Sequence, residues 1–175
     1  MAGTEFERLI VDLDEHRRTH FYGKHRGVVT DADDPEKMGR IKARVPAVYG
    51  DEESQWCLPA VPFAGAKHGL LLLPKVGDGV WIEFEGGLPS RPIWTGCWWG
   101  SGDLPSPSGV NKHVLTTPEG LQIVLDDDSK KLQLIHPGGA EITMTDTSIA
   151  IKLGSASIEL SASGVSVNQG ALEVK

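Results

Sequence analysis

The chain has little cysteine, no long apolar run and no excess of positive charge. Cys57 and Cys97 are the only two cysteines among 175 residues, and they lack both the number of a disulfide scaffold and the spacing of metal ligands. Both are expected to be buried free thiols. No stretch approaches the roughly 18 consecutive apolar residues of a membrane helix. The formal charge of −7 and the pI near 5.3 argue against a nucleic-acid backbone as the main partner.

Aromatic residues and arginine are missing from the second half of the chain. All eleven aromatic residues lie at or before Trp99, and the last arginine is Arg91. Between the two halves lies "GSGDLPSPSG", which favours neither helix nor strand. The sequence therefore predicts four parts: an N-terminal helix over 1–19, a first domain over 20–99, a linker over 100–110 and a second domain over 111–175.

The N-terminal segment "TEFERLIVDLDEHRR" has the spacing of an amphipathic helix. Its apolar residues recur at i, i+3, i+4 and i+7, and are Phe6, Leu9, Ile10 and Leu13. This stripe exceeds what a compact domain needs, so we expect an assembly element that docks on a hub protein or on a neighbouring protomer. The acidic residues stand where a secretory signal has a basic region, which predicts synthesis and assembly in the cytosol.

The first domain is expected to be a small all-β barrel. Five strand-like runs, from "KHRGVVTD" to "RPIWTGCWW", are separated by Asp-, Pro- and Gly-rich turns, which suits a five-stranded OB-fold. In "VWIEFEG" the residues alternate, so Val80, Ile82 and Phe84 should point into the barrel and Trp81 and Glu83 away from it.

The second domain repeats short strands every seven residues. The triplets are "IKL" at 151–153, "IEL" at 158–160, "VSV" at 165–167 and "LEV" at 172–174. A coiled coil is excluded, because residues i and i+2 share a face in a strand but not in a helix, and Ser, Gly and Val are poor helix formers. Upstream, "LQIVLD", "LQLIH" and "EITMT" alternate in the same way at looser spacing.

Strands this thin cannot bury their own apolar faces, so identical copies are expected to bury them. Several chains wound about one axis would point those faces inward and pair every strand edge. The middle residues of the triplets, such as Lys152 and Glu159, should face solvent. The predicted core of the assembly consists of Ile151, Leu153, Ile158, Leu160, Val165, Val167, Leu172 and Val174.

Two segments carry a specific resemblance. "FYGKHRGVVTDADDPEKMGRIKARVPAV" followed by "LPKVGDGVWIEFEGGLPSRPIWTGCWW" resembles the OB-fold domain of phage baseplate assembly protein V, which belongs with the gp5-like and VgrG-like central spikes of contractile tails and injection systems. The resemblance implies a homotrimer whose second domain is a triple-stranded intertwined β-helix. It also implies a structural, non-enzymatic role: a spike beneath the tail tube, joined to a hub protein and pushed through a target envelope, which it contacts only transiently.

The family resemblance also implies a partner at the C-terminal end. The sequence has no His-x-His iron-binding tip, and its last histidine is His136. Blunt spikes in the family are typically capped by a PAAR-type cone protein. Leu172, Glu173, Val174 and Lys175 are the expected docking platform, with a bare spike as the alternative. The particle can be a phage tail, a pyocin-like device or an extracellular injection system, and an injection-system particle can be released from the cell.

Two other functions were weighed against the spike. An OB-fold can bind oligonucleotides or oligosaccharides by stacking on tryptophans, but the acidic charge and the lack of interleaved basic and aromatic residues disfavour this. A cell-wall hydrolase needs paired carboxylates in a cleft, whereas those here are expected in solvated turns, "DADDPE" and "DDD", or on outward strand positions. His16 and His20 are expected to be solvated, and neither a metal nor a cofactor is assigned.

Overall fold

The structure is a computed structural model that describes residues 2–174, with side chains over residues 4–172. The chain divides into two compact units, residues 1–102 and residues 103–175. Each unit is described by itself. Within the described residues, no helix is both long enough and apolar enough to cross a membrane.

The first unit opens with helix α1, Ala2–Thr19. Glu5 lies in its first turn, and His16 and two arginines lie in its last turn, which complements the partial charges at the two helix ends. The Thr19 hydroxyl donates a 2.7 Å hydrogen bond to the Glu15 carbonyl oxygen and so closes the last turn. The predicted N-terminal helix is confirmed.

The remainder of the first unit consists of short strands and one further short helix. Their bounds are β1, His25–Asp31; β2, Lys42–Arg44; α2, Pro46–Tyr49; β3, Leu58–Pro59; β4, Ala64–Gly65; β5, His68–Gly69; β6, Gly79–Phe84; and β7, Pro92–Trp98. Five of the strands form one curled sheet in the order β2-β1-β6-β7-β3. The pairs are antiparallel except β3 with β7. The predicted five-stranded OB-type sheet is confirmed, whereas α2 and the β4–β5 hairpin were not expected.

The core of this unit lies on one side of β6. Val80, Ile82 and Phe84 are buried there, as the alternation in the sequence predicts, and they pack with residues of four other segments. Gly27 on β1 shows how close this packing is. A Cβ atom there would lie 3.3 Å from the side chains of both Ile82 and Val45, so glycine allows β1 to approach its neighbours.

Two sequence expectations are wrong in this unit. Cys57 is buried in the core, but Cys97, near the end of β7, is exposed. Asp34 was expected in a solvated turn, but its side chain is buried because the surrounding loop folds around the carboxylate. The sequence pattern reveals neither outcome, because the exposure of Cys97 depends on strand packing and the burial of Asp34 depends on the path of the loop that follows it.

The second unit is an antiparallel sheet of eight strands in sequential order. Their bounds are β8, Lys112–Thr116; β9, Gln122–Asp126; β10, Lys131–Ile135; β11, Ala140–Met144; β12, Ser148–Leu153; β13, Ala156–Ser161; β14, Gly164–Val167; and β15, Leu172–Val174. The two-residue turn between β12 and β13 begins at Gly154, whose φ of 58° suits a tight hairpin. The predicted β-rich C-terminal region is confirmed.

Candidate oligomerisation surface

The pairing register aligns apolar side chains into two rows across the eight-stranded sheet. The first row runs through Leu115, Ile123, Leu134, Ile142, Ile151, Ile158, Val167 and Leu172. The second begins at the polar residue His113 and continues through the apolar residues Leu125, Leu132, Met144, Ile149, Leu160 and Val165. Because the rows lie two residues apart along each strand, both project from the same side of the sheet. We call this side the apolar face.

The apolar face is largely uncovered within one chain. Along it, most large side chains from Leu115 to Leu172 keep between 36% and 62% of their surface exposed, while Leu132, Val165 and Val167 are half-buried. Isolated exposed apolar residues are ordinary, but a contiguous patch spanning a whole sheet marks an interaction surface. The face therefore requires a partner surface of similar extent.

The opposite side of the sheet is polar over most of its length. The row between the two apolar rows carries Gln133, Thr143, Glu159 and Ser166, together with smaller apolar residues. Glu141 accepts a 2.6 Å hydrogen bond from Gln133 and a further one from the Thr143 hydroxyl, and these bonds lower the pKa of Glu141. A carboxylate held ionised by its neighbours suits a solvent-facing surface.

An ion-pair cluster holds the first hairpin of the sheet. The Lys112 ammonium contacts the Asp126 carboxylate and lies 3.2 Å from that of Asp128. Asn111 adds a 2.7 Å hydrogen bond to Asp128. The hydrogen bond with Lys112 lowers the pKa of Asp126 and raises the pKa of Lys112, so the cluster is charged at neutral pH and ties β8 to the β9–β10 turn.

The structure places the sequence-predicted core residues on the apolar face, at its C-terminal end. Ile151, Ile158 and Val167 are direct cross-strand partners, as are Leu160 and Val165, while Leu153 pairs with Ala156. The strands β8–β11 extend the same face with residues that were not singled out: Leu115, Ile123, Leu125, Leu132, Leu134, Ile142 and Met144. Their alternation was visible in the sequence, but their looser spacing hid their alignment with the triplets.

The predicted tip platform lies on β15. Leu172 pairs with Val167, Val174 pairs with Val165, and β15 has no pairing partner beyond β14 in the described part of the chain. The side chains of Glu173 and Val174 lie outside the described side chains, and Lys175 lies outside the described residues. The platform remains a prediction.

The helix stripe projects into solvent within one chain. Phe6, Leu9, Ile10 and Leu13 are each between 53% and 67% exposed. At the C-terminal end of α1, the rings of His16 and His20 stack with centroids 3.9 Å apart, and His16 Nε2 lies 3.0 Å from the Tyr22 hydroxyl oxygen. Among the residues with described side chains, no group of three His, Cys, Asp or Glu side chains is placed to hold a metal ion.

Basic and aromatic side chains do interleave on the OB-type sheet, contrary to the sequence expectation. The Arg26 guanidinium lies over Trp81 and Trp98, 5.6 and 5.2 Å from the ring centroids. Arg40 and Lys42 lie over Trp56. These cation–π contacts occupy ring surface on which a base or sugar would otherwise stack. They arise because alternate residues on neighbouring strands meet on one face, which the linear sequence conceals.

The chain has an OB-type sheet and, later in the sequence, an antiparallel sheet with one uncovered apolar face. These features place it in the class of β proteins that associate with copies of themselves. Family comparisons agree with this arrangement and are more specific. Residues 25–99 match the type VI secretion system/phage-baseplate injector OB domain, and residues 112–173 match the phage baseplate V C-terminal trimerisation domain. The chain belongs to the phage baseplate V family of gp5-like and VgrG-like spikes, and the second match supports a homotrimer.

Two curated relatives come from Vibrio cholerae serotype O1. The chain is 30% identical over 111 residues to actin cross-linking toxin VgrG1 of strain ATCC 39541 / Classical Ogawa 395 / O395, a match covering 57% of this chain and 10% of the relative. It is 32% identical over 65 residues to type VI secretion system spike protein VgrG3 of strain ATCC 39315 / El Tor Inaba N16961, covering 35% and 6%. The matches thus span about a tenth or less of these relatives.

Proposed function

We propose that this protein is the central spike subunit of a contractile phage tail or a related injection system, and that three copies form the spike. The observation that carries the proposal is the apolar face, which runs unbroken through eight strands and is uncovered in one chain. The matched family, with an OB domain followed by a trimerisation domain, supports the same function.

If three copies close around a common axis, the apolar face of each copy is covered by the apolar faces of the other two. Around a common axis, the rows through Ile158 and Leu160 would meet the same rows of two other copies, and the polar side with Glu159 would face solvent. Such a closed arrangement also removes strand edges that would otherwise recruit foreign strands. A slender and water-free core of this kind suits a shaft that must resist axial force.

The remaining parts would connect the shaft to the particle. The first unit would sit beneath the tail tube against a hub protein, with α1 as an assembly element. A PAAR-like tip protein would cover the outer edge of β15 at the far end. Assembly would occur in the cytoplasm, and the target envelope would be met only when the sheath contracts.

The proposed role is structural and needs no catalytic group. The buried or paired carboxylates that carry lowered pKa values are each engaged by nearby hydrogen-bond donors; they are Asp34, Glu53, Asp126, Asp128 and Glu141. A hydrolytic acid would instead need a raised pKa.

The mass of the purified protein tests the proposal. Multi-angle light scattering at micromolar concentration should give three times the 18.9 kDa of one chain. A matched pair of variants assigns the result to the apolar face: the trimer should be lost on Ile158→Asp and kept on Glu159→Gln. A stably folded monomer of the unaltered chain would exclude the spike.

A further inference from the structure

A groove on the first unit is lined by a run of leucines that the proposed shaft leaves unused. Leu70–Leu73 follow one another in the loop between β5 and β6, and each is between 42% and 73% exposed. With Pro59, Val61 and Phe63 they line a cavity of about 380 Å³. Four consecutive exposed leucines are unusual for a soluble loop and mark a contact surface.

The groove has one formally charged lining residue, and that residue is basic. Lys67 and His68 are among its lining residues, and no carboxylate is. Lys37 lies directly beside the lining residue Met38 and is itself exposed. An apolar floor with a basic rim is complementary to an apolar segment flanked by acidic residues.

Helix α1 has that complementary pattern. With about 100° between successive residues, Phe6, Leu9, Ile10 and Leu13 form one stripe about 100° wide. Acidic residues flank the stripe on both sides, Glu5 and Asp12 on one and Glu7 and Asp14 on the other. Basic residues concentrate on the far face or in the last turn. The helix therefore carries negative charge beside its apolar stripe, and the groove has no negatively charged lining residue.

We propose that α1 of one protomer seats its apolar stripe in the Leu70–Leu73 groove of a neighbouring protomer, an interaction that rests on the trimer proposed above. Each chain carries one stripe and one groove. Within a three-fold trimer, a head-to-tail contact of this kind can repeat around the ring and leave neither surface exposed.

The groove of the same chain does not receive the helix. All four stripe residues are exposed within one chain, and the connection that follows α1 is held by a 2.8 Å hydrogen bond from the Phe21 N–H to the Gly87 carbonyl oxygen. Within one chain the stripe therefore stays outside the groove. A second copy is the occupant that satisfies stripe, groove and charge together.

Cysteine cross-linking in the full-length trimer tests the contact. In a Cys97→Ser background, Leu71→Cys is combined with one helix cysteine at a time, at Phe6, Leu9 or Leu13. Several stripe positions are needed because a disulfide forms only within a narrow range of Cα separations. Each double variant is oxidised and separated on a non-reducing gel. We expect at least one of them to form reducible covalent dimers and trimers.

Far-face positions provide the matched control. Arg8 lies roughly opposite the stripe, so Arg8→Cys with Leu71→Cys should cross-link several-fold less than the best stripe pair. Equal cross-linking from Arg8, only intramolecular disulfides, or no disulfide at any stripe position would each overturn the proposal. Light scattering on the same samples separates this failure from that of the proposed function, because the C-terminal sheets should keep the protein trimeric in every variant.

Discussion

The Arg40 guanidinium and the Asp34 carboxylate form a two-pronged ion pair inside the loop between β1 and β2. Arg40 Nη2 and Nε donate to Asp34 Oδ1 at 2.6 and 3.1 Å, and the backbone N–H groups of Glu36, Met38 and Arg40 also donate to the carboxylate. One buried carboxylate thus organises the whole loop. Its hydrogen bonds, above all those from Arg40, hold its pKa well below the usual range.

Replacing this carboxylate by an amide should lower the melting temperature of the first unit by several degrees. Asp34→Asn keeps the shape of the side chain but removes its charge, and an amide nitrogen cannot accept the bonds that Oδ1 or Oδ2 accepts. Asp33→Asn, at the exposed neighbouring position, is the matched control and should melt like the unaltered protein. Similar losses from the two changes would contradict the organising role of Asp34.

The same carboxylate should make the first unit sensitive to acid. A carboxyl whose pKa is lower in the folded state stabilises the fold above its unfolded pKa, about 3.9 for Asp, and this stabilisation is lost as the pH falls toward the folded pKa. Urea unfolding between pH 6 and about 3 should show the difference between the unaltered protein and Asp34→Asn shrinking with acidity. A difference that stays constant would mean that its ionisation contributes nothing.

Charged substitutions at two adjacent residues of β13 should differ in their effect on the trimer. Ile158 lies on the apolar face between Ile151 and Val167, whereas Glu159 lies on the other side between Ala150 and Ser166. Ile158→Asp would bring three carboxylates together in an apolar core, at a cost of several kcal/mol, and should yield monomers by light scattering. Glu159→Lys should change the free energy of unfolding by no more than about 0.5 kcal/mol. Equal damage would reverse the assignment of inner and outer faces.

The two thiols should differ in reactivity. Burial raises the pKa of Cys57 to about 11, and its sulfur lies 3.3 Å from the Ser54 hydroxyl oxygen, while Cys97 is exposed. Maleimide labelling at pH 8, followed by mass spectrometry, should add one label per native chain and two per unfolded chain. Cys97→Ser should abolish native labelling, and rapid modification of Cys57 in that variant would be inconsistent with the buried site.

The tip platform predicts a loss of one partner without loss of the trimer. Leu172 continues the first apolar row on the last described strand and is exposed. Removal of residues 170–175 should abolish co-purification of a PAAR-like tip protein while the truncated chain remains trimeric. Ser166→Ala, on the polar side of β14, is the control and should retain the tip. A tip protein that still binds the truncated chain would contradict the platform.

The sequence by itself determined the longer elements and which side of the longer strands is apolar, although it did not predict α2 or the β4–β5 hairpin. The alternation in "VWIEFEG" predicted the buried side of β6, and the triplets predicted β12–β15, because a strand places residues i and i+2 on the same side whatever surrounds it. The apolar stripe of α1 could likewise be predicted from the sequence, since the 3.6-residue period of a helix is a local property.

Only the tertiary structure decided which residues meet across the chain. Asp34 became buried because the loop that follows it returns with three N–H groups and Arg40. Cys57 and Cys97, alike in sequence, separated into a core thiol and an exposed one, and Arg26 met Trp81 and Trp98 across neighbouring strands. The alignment of eight strands into continuous apolar rows likewise depends on pairing register. Register is set by the match of apolar faces on neighbouring strands and by turn geometry, so it aligns side chains that the linear spacing leaves unrelated.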